Sequence, residues 1–178
     1  KDVCLSVVPG TIHGIVGENG AGKSTLVSIL YGFYSADSGT VAISGEPVRL
    51  RSSADAIAAG IGMVHQHFML VPNFTVLENI ILGHEGGSDL KAGARQAEAS
   101  LKGITERYGL SVDLQAAVQD LPVGLQQRVE ILKALYRGAR ILILDEPTGV
   151  LTPQETEQLF DILRTLKAQG VTILLITH

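Results

Sequence analysis

A glycine-rich loop offers the first chemistry that this sequence suggests. Residues 17–24 read Gly-Glu-Asn-Gly-Ala-Gly-Lys-Ser and match the pattern Gly-x-x-x-x-Gly-Lys-Ser/Thr. Glycines let backbone N–H groups turn toward a polyphosphate, and the helix that follows adds a dipole that favours anions. Lys23 is then a positive charge that reaches the outer phosphates, and the Ser24 hydroxyl is a ligand for Mg²⁺. The loop therefore predicts a site for a magnesium-bound triphosphate.

Two adjacent carboxylates, Asp145 and Glu146, follow an apolar run at residues 141–144. A strand that is apolar on both faces is typical of the centre of a parallel sheet, and ligands bind at the carboxyl edge of such a sheet. We expect Asp145 to hold Mg²⁺, directly or through water, and Glu146 to act as general base toward the attacking water. No Asn-Lys-x-Asp run is present to read guanine, which disfavours a GTPase.

Two further polar residues follow other predicted strands. Gln66 comes after the run at 61–64, and its amide is a candidate contact to Mg²⁺ or to the attacking water. His178 comes after the run at 171–176 and is a candidate hydrogen-bond partner of the terminal phosphate. Taken alone, a Gln at a strand end is more often an ordinary surface residue, and a lone terminal His is more often without a function.

The segment at residues 121–128, Leu-Pro-Val-Gly-Leu-Gln-Gln-Arg, precedes a predicted helix. Gly124 allows close backbone approach, and a helix N-terminus attracts anions. The other interpretation, an ordinary helix start, stays open when the segment is considered alone.

The elements that must position these residues alternate between strand and helix, which predicts an α/β fold with a largely parallel sheet. Residues 83–120 contain no continuous β-type run, and their apolar residues recur at spacings of three and four, which predicts a helical insertion. Thr75 and Thr152 are expected helix N-caps. The predicted strands are 3–8, 11–16, 39–44, 61–64, 140–144 and 171–176, and the predicted helices are 23–32, 52–59, 76–82, about 94–108, 125–138 and 153–168.

Composition limits the classes of protein and partner. The chain has 178 residues, 46% of them hydrophobic, which suits one domain with a packed core. A net charge of −4 and 4% aromatic residues without Trp argue against a nucleic-acid partner. The single cysteine, Cys4, excludes an internal disulfide and fits a reducing compartment. We expect no secretory signal and no membrane span, since no apolar run approaches about 20 residues.

Taken in order, these motifs resemble the nucleotide-binding domain of ATP-binding cassette (ABC) transporters. The amino-acid sequence of residues 67–80 and 147–155 is similar to that of the branch of the family that imports simple sugars and nucleosides in bacteria. The correspondences are the phosphate loop at 17–25, the Q-loop glutamine Gln66, the signature segment at 121–127, the acidic strand at 141–146, the D-loop at 148–152 and the switch histidine His178.

The resemblance implies a P-loop NTPase fold with a mostly parallel central sheet, an N-terminal antiparallel β portion and a helical subdomain. It implies one domain over 1–178, cut at both ends, with a core at 1–82 and 139–178 and a helical part at 83–138. The catalytic residues it implies are Glu146, His178 and Gln66, and the Mg²⁺ ligands are Ser24, Gln66 and Asp145. The nucleotide contacts it implies are Gly17, Glu18, Asn19, Gly20, Ala21, Gly22, Lys23, Ser24, Thr25, Gly124 and Gln126.

The resemblance also implies ATP and Mg²⁺ as cofactors and a set of partners. Two such domains enclose ATP between the phosphate loop of one and the signature segment of the other, and in this branch both are often fused in one polypeptide. Transmembrane permease subunits would contact residues 69–85, a substrate-binding lipoprotein would act indirectly, and the domain would lie at the cytoplasmic face of the cell membrane. The alternatives are a soluble ABC-class ATPase acting on nucleic acid or ribosomes, and a nucleotide-binding regulatory half with weak turnover.

The signature segment departs from the family pattern Leu-Ser-Gly-Gly-Gln. Pro122, Val123 and Leu125 replace its Ser, a Gly and its Gln, and Thr152 replaces the usual Asp of the D-loop. Pro122 offers neither a hydroxyl nor an N–H to a phosphate. We therefore expect the composite site completed by this segment to bind ATP and to hydrolyse it poorly.

Overall fold

A computed structural model of the protein describes residues 3–84 and 90–177. In the described chain, strands and helices alternate for most of the length, as the sequence predicts. The strands are β1 Ile12–Val16, β2 Val41–Ile43, β3 Glu46–Val48, β4 Ile61–Val64, β5 Ile141–Asp145 and β6 Thr172–Thr177. The helices are α1 Lys23–Leu30, α2 Ser53–Ala58, α3 Val76–Ile81, α4 Leu90–Tyr108, α5 Val123–Tyr136 and α6 Pro153–Ala168, with a short 3-10 helix at Val118–Asp120.

The central sheet has four strands in the order β1-β6-β5-β4, and all three neighbouring pairs are parallel. The interior strands β5 and β6 are the two that the sequence marks as apolar on both faces. Leu142 and Leu144 of β5 join one hydrophobic cluster, and Ile143 between them joins the other. The expectation of a parallel sheet with two covered faces is confirmed.

Helices cover the two faces of this sheet in unequal numbers. Residues of α3, α4, α5 and α6 form the larger cluster, whereas α1 and α2 contribute Val27 and Ala56 to the smaller one. Gly62 of β4 brings α5 close to the sheet, because a Cβ at this position would lie 2.8 Å from the Cβ atoms of Ala134 and Ala139. Helix α5 is therefore packed directly onto an edge strand of the sheet.

The first predicted strand, at residues 3–8, is wrong. Within the described chain no strand pairs with this segment, and an extended run forms a strand only when a neighbour accepts its backbone hydrogen bonds. Its apolar side chains are also poorly covered, with Val3 67% and Val8 66% exposed. Strand-like apolar residues in a segment therefore do not show whether a second strand is present to pair with it.

The predicted strand at 39–44 is half of a hairpin. β2 pairs antiparallel with β3, which the sequence analysis missed, and Ser44 and Gly45 connect them with φ of 54° and 84°. Two positive φ values in a two-residue turn are the geometry that matches the twist of a β-hairpin. This two-stranded sheet is the antiparallel β portion that the resemblance implies.

Capping fixes where two of the helices begin. Thr75 and Thr152 each accept a hydrogen bond from the amide three positions later, and the carboxylates of Glu78 and Glu155 each accept one from the N–H of the cap residue. Both predicted N-caps are confirmed. Within residues 3–84 and 90–177, no helix has the length and apolar character needed to cross a membrane.

In the described chain, the regular elements between β4 and β5 are all helices, as predicted for the insertion. Helix α3 packs with α4 and α5 in the larger cluster, through residues such as Ile80, Leu101 and Leu132. The division between a core at 1–82 and 139–178 and a helical part at 83–138 stays a prediction.

Candidate functional site

The phosphate loop connects β1 to α1 through left-handed glycines. Gly20 and Gly22 have φ of 84° and 91°, and Gly22 is the N-cap of α1. A Cβ at either position would meet no atom within 4 Å, so the space around them is open. The backbone conformation, and not crowding, is what demands glycine here. The open space above the loop is where a polyphosphate would lie.

Lys23, the first residue of α1, closes the loop on itself. Its side chain is 9% exposed, and its Nζ donates hydrogen bonds to the carbonyl oxygens of Gly17 and Glu18. The amide of Ala21 also donates to the Glu18 carbonyl, at 3.2 Å. The carbonyl groups of the loop thus hold the ammonium group inside it, where it could bind a phosphate oxygen.

Asp145 is the last residue of β5, and some of its surroundings raise the pKa of its carboxyl group while others lower it. Burial raises the pKa of its carboxyl above the ordinary value, and the charge of Glu146 raises it further. The charges of His65 and Lys23 lower the same pKa. The loop lysine and the strand-end carboxylate are therefore within electrostatic range of each other, as a shared magnesium–phosphate site requires.

Glu146 has an unusual backbone. Its φ is 45°, in the left-handed region that non-glycine residues rarely adopt, and its N–H donates to the Ile176 carbonyl of β6 at 3.0 Å. Such strain persists where surrounding contacts fix the residue, and it is frequent at functional sites. The turn directs the chain away from the sheet just after Asp145.

The strand register brings these residues to one edge. Val16 lies opposite Thr177, and Asp145 lies opposite Ile176, so β1 and β5 end within one residue of each other across β6. Val64 lies opposite Leu144, which puts the end of β4 at the same level. The phosphate loop, the acidic pair and the segment with Gln66 therefore share the carboxyl edge of the sheet, as predicted.

Gln66 is exposed, two residues beyond the end of β4. Its neighbour His65 stacks on Phe33, with ring centroids 5.8 Å apart, and meets Tyr31 edge to face at 6.1 Å. Burial lowers the pKa of His65, which favours the neutral ring, while the charges of Glu130 and Asp145 raise it. His178 lies outside the described residues, and its predicted role stays a prediction.

The signature segment is held by contacts with Pro147, just before the D-loop, and with the start of α6. The Gly124 amide donates to Glu155 Oε1 at 2.9 Å, and Gln127, 2% exposed, donates from Nε2 to the Pro147 carbonyl at 2.8 Å. Gln126 donates to the Leu121 carbonyl within the segment, at 2.9 Å. The two predicted nucleotide contacts, Gly124 and Gln126, thus have partners inside this chain.

Sequence reasoning missed a buried carboxylate on α5. Glu130 is 3% exposed and accepts a hydrogen bond from the Met69 amide at 2.7 Å. The signal was available, because an acidic residue that interrupts the run Val129–Ile131–Leu132 on a core helix rarely lacks a partner. Only the fold could show that the partner is the segment after Gln66.

The polar groups at the carboxyl edge fit a magnesium-bound triphosphate. The Ser24 hydroxyl, the Asp145 carboxylate and the Gln66 amide offer the hard oxygen ligands that Mg²⁺ prefers. The glycine cradle leaves room for phosphates, and Lys23 supplies a positive charge beside it. The residues present therefore suit both cofactors that the sequence predicts.

Comparisons with known proteins agree with this geometry. The chain is 52% identical to the nucleoside import ATP-binding protein NupA of Lactococcus lactis, over 99% of this chain and 35% of that protein. It is 50% identical to the glucose import ATP-binding protein TsgD13 of Haloferax volcanii, over 98% of this chain and 37% of that protein. The chain thus spans just over a third of the length of these curated relatives.

The fold is also that of solved ATP-binding cassettes. An ATP-binding cassette of an ABC transporter in its ADP conformation superposes with a TM-score of 0.85 at 30% identity, covering 99% of this chain and 73% of that one. A nucleotide-free cassette superposes with a TM-score of 0.84 at 29% identity, covering 98% of this chain and 73% of that one. Residues 1–149 match the family model described as ABC transporter. With phosphate loop, acidic strand end and parallel sheet in one arrangement, the chain belongs to the ABC transporter family.

Proposed function

We propose that this chain is the ATP-binding and ATP-hydrolysing part of an ABC importer for a simple sugar or nucleoside. The observation that carries the hydrolytic part is the strand register, which brings the phosphate loop after β1 and the carboxylates Asp145 and Glu146 after β5 to one edge of the sheet. The importer part is supported by relatives named for the import of glucose, nucleosides, guanosine and ribose.

In this proposal the phosphate loop binds the triphosphate of ATP. The backbone N–H groups of residues 17–25 donate to phosphate oxygens, and Lys23 exchanges its bonds with the loop carbonyls for bonds with phosphate. Ser24, Asp145 and Gln66 hold Mg²⁺, which neutralises charge on the outer phosphates when bound.

Glu146 is the proposed general base. Its carboxylate accepts a proton from the water that attacks the terminal phosphate, and the strained turn at this residue fixes its backbone at the sheet edge. Gln66 orients that water, and His178 donates a hydrogen bond to the terminal phosphate. General base catalysis contributes about 10²–10⁴-fold to a rate, so most of the turnover depends on this carboxylate.

A second ATPase domain completes each site. Gly124 and Gln126 of this chain would face the nucleotide on the phosphate loop of that domain. Pro122 is the N-cap of α5 and makes no side-chain capping hydrogen bond, so it brings no donor to that phosphate. This observation favours slow hydrolysis at the composite site completed by this chain, while the site containing Glu146 stays competent.

Membrane subunits are the proposed source of the transport step. A groove of about 230 Å³ next to Gln66 is lined by the aromatic residues Tyr31 and Phe33 and by the basic residues Lys133 and Arg137. Phe33 and Met69 are 52% and 66% exposed at this face. We place the permease contact here, with the domain at the cytoplasmic face of the cell membrane and a substrate-binding lipoprotein acting indirectly.

Replacement of the proposed base tests this function. In the full-length protein assembled with its permease, Glu146→Gln keeps the size and hydrogen-bonding atoms of the side chain but cannot take a proton. We expect ATP turnover to fall at least about a hundredfold, ATP affinity to be kept and solute uptake to stop with turnover. The measurements are phosphate release, nucleotide binding and uptake of labelled nucleoside or sugar into proteoliposomes.

Glu157→Gln, at an exposed position on α6, is the matched control and should match the parent. Normal turnover in Glu146→Gln would remove Glu146 as the base. ATP turnover that is unaffected by the permease but stimulated by nucleic acid or ribosomes would replace the importer with the soluble alternative.

A further inference from the structure

Helix α5 holds both backbone polar atoms of one residue in the segment after Gln66. Glu130 Oε1 accepts a hydrogen bond from the Met69 amide at 2.7 Å, and Lys133 Nζ donates to the Met69 carbonyl at 3.0 Å. The two side chains also form an ion pair, with Lys133 Nζ 3.7 Å from Glu130 Oε2. We call this arrangement the Met69 clamp.

Burying a carboxylate in the clamp costs more free energy than filling the same space with an apolar side chain. Glu130 is 3% exposed, and an acidic side chain buried to this degree is destabilising unless it is paired and hydrogen-bonded. The Met69 side chain is 66% exposed, so its own burial does not hold the segment in place. The two charged side chains of α5 are therefore the contacts that hold the Met69 backbone itself.

A third side chain holds the same segment two residues later. Asn79 of α3 is 1% exposed, accepts a hydrogen bond from the Val71 amide at 2.7 Å and donates to the Val71 carbonyl at 3.0 Å. Residues 69–71 are thus fixed to helices α5 and α3, both of which belong to the larger helical cluster. Residues 65–68 form the link along the chain between strand β4 and this fixed segment.

Gln66 lies within that link. Among the residues that the structure describes, none makes a hydrogen bond with the Gln66 side chain, so its flanks determine where it points. In the sequence, Gln66 follows β4 by two residues and precedes Met69 by three. His65, the neighbour of Gln66, lines the same groove as Met69, Glu130 and Lys133, so the clamp lies beside the start of this link.

We propose that Glu130 and Lys133 are positioning residues: by holding the Met69 backbone, they determine where Gln66 lies at the carboxyl edge of the sheet. The inference rests on the proposed function, because it assigns Gln66 a task in ATP hydrolysis. Both residues act on Gln66 through the backbone of residues 67–69.

Hydrogen exchange and steady-state kinetics of the full-length protein test the clamp. Glu130→Ala removes the acceptor for the Met69 amide, and we expect exchange of amides 69–71 to accelerate about tenfold and kcat to fall about tenfold, the effect of one hydrogen bond. ATP affinity should change less than about twofold, because the phosphate loop is untouched. Glu130→Gln, which keeps an acceptor oxygen, should restore most of both properties.

A double-mutant cycle separates positioning from loss of structure. In a Gln66→Ala background, Glu130→Ala should cause almost no further loss of kcat, because both changes disable the same group. Lys133→Met gives a second route to an open clamp if Glu130→Ala folds poorly. Glu98→Gln and Lys102→Met, at exposed positions on α4, are the matched controls and should match the parent.

Three outcomes would overturn the proposal. Unchanged exchange at 69–71 would show that the clamp is not closed in solution. Faster exchange with unchanged kcat, or additive losses in the cycle, would show that the clamp does not position Gln66. A parent protein without ATP turnover would contradict the proposed function and with it the task of Gln66, whereas the exchange measurement would still decide whether the clamp exists.

Discussion

The loop at residues 17–22 and the signature segment at residues 121–127 both lead into a helix, but different contacts hold them. Lys23 bonds to carbonyls five and six positions earlier in the chain, so the loop is closed by its own neighbours. The signature segment depends on bonds from Gly124 and Gln127 to residues 31 and 20 positions away.

Because of this difference, nucleotide binding by the loop and the folding of the signature segment should respond to different mutations. A phosphate loop closed by local contacts keeps its shape as long as β1 and α1 form. The signature segment keeps its shape only while α6 and the D-loop keep theirs, since Glu155 accepts from both Gly124 and Thr152. Changes in the loop should therefore alter nucleotide affinity alone, whereas changes in the segment should alter stability and assembly first.

The largest expected effect is that of Lys23→Ala on the loop. Loss of the ammonium removes charge-assisted bonds to phosphate, and we expect the Kd for ATP to rise roughly a hundredfold, or about 2.7 kcal/mol. Isothermal calorimetry of the full-length protein measures this affinity, with Lys102→Ala on α4 as the control. Unchanged affinity would count decisively against a phosphate site in this loop.

Gly124→Ala should act on the signature segment instead. A Cβ at this position would lie 2.8 Å from Glu155 Oε1, so either the segment or the Glu155 side chain must move. We expect a loss of about 1–2 kcal/mol in the free energy of unfolding, with ATP affinity at the phosphate loop of this chain unchanged. Denaturant unfolding and calorimetry give the two values.

Gly103→Ala is the matched control for that change. Gly103 lies within α4, and a Cβ there would meet no atom within 4 Å. Alanine should therefore stabilise the protein by about 0.5–1 kcal/mol, since glycine is unfavourable inside a helix. A loss of stability at Gly103 equal to that at Gly124 would remove crowding as the explanation.

The smallest expected effect is the pH dependence that Glu155 introduces. Hydrogen bonds from the Thr152 and Gly124 amides, and from the Thr152 hydroxyl, lower the pKa of Glu155 below its ordinary value. A depressed pKa in the folded state gives stability that is fully present above the unfolded pKa, about 4.3, and is lost as pH falls through the folded value. Glu155→Gln should remove this contribution.

Melting temperatures of the parent and Glu155→Gln should therefore differ by a constant amount from pH 8 to pH 6 and converge on acidification. Glu157→Gln, on the same helix, is the control and should follow the parent at every pH. A parent and a Glu155→Gln variant that differ equally at pH 3 and pH 7 would show that the contact does not depend on the carboxylate.

Much of the architecture could be predicted because its signals are local. The cap at Thr152 and the proline after it mark where α6 begins, and the apolar run before Asp145 marks an interior strand. The phosphate loop is recognisable because its chemistry needs glycines, a lysine and a hydroxyl at fixed spacing. In each case the residues that make the contact are neighbours in the chain.

Other features could not be predicted, because their partners are distant in sequence. Residues 3–8 have strand-like residues and lack a strand to pair with in the described chain, while β3 contains a proline and forms because β2 folds back on it. The hydrogen bonds of a β-ladder join two segments, so the sequence of one segment cannot show whether it is paired.

The candidate site divides in the same way. Residue types and spacing identify Lys23, Asp145 and Glu146, because a phosphate or a magnesium ion accepts few alternatives to such groups. The partner of Glu130, the Met69 amide 61 positions away, became visible only in the folded chain. An acidic residue within an apolar run indicates that a partner exists, but only packing shows which backbone donor it meets.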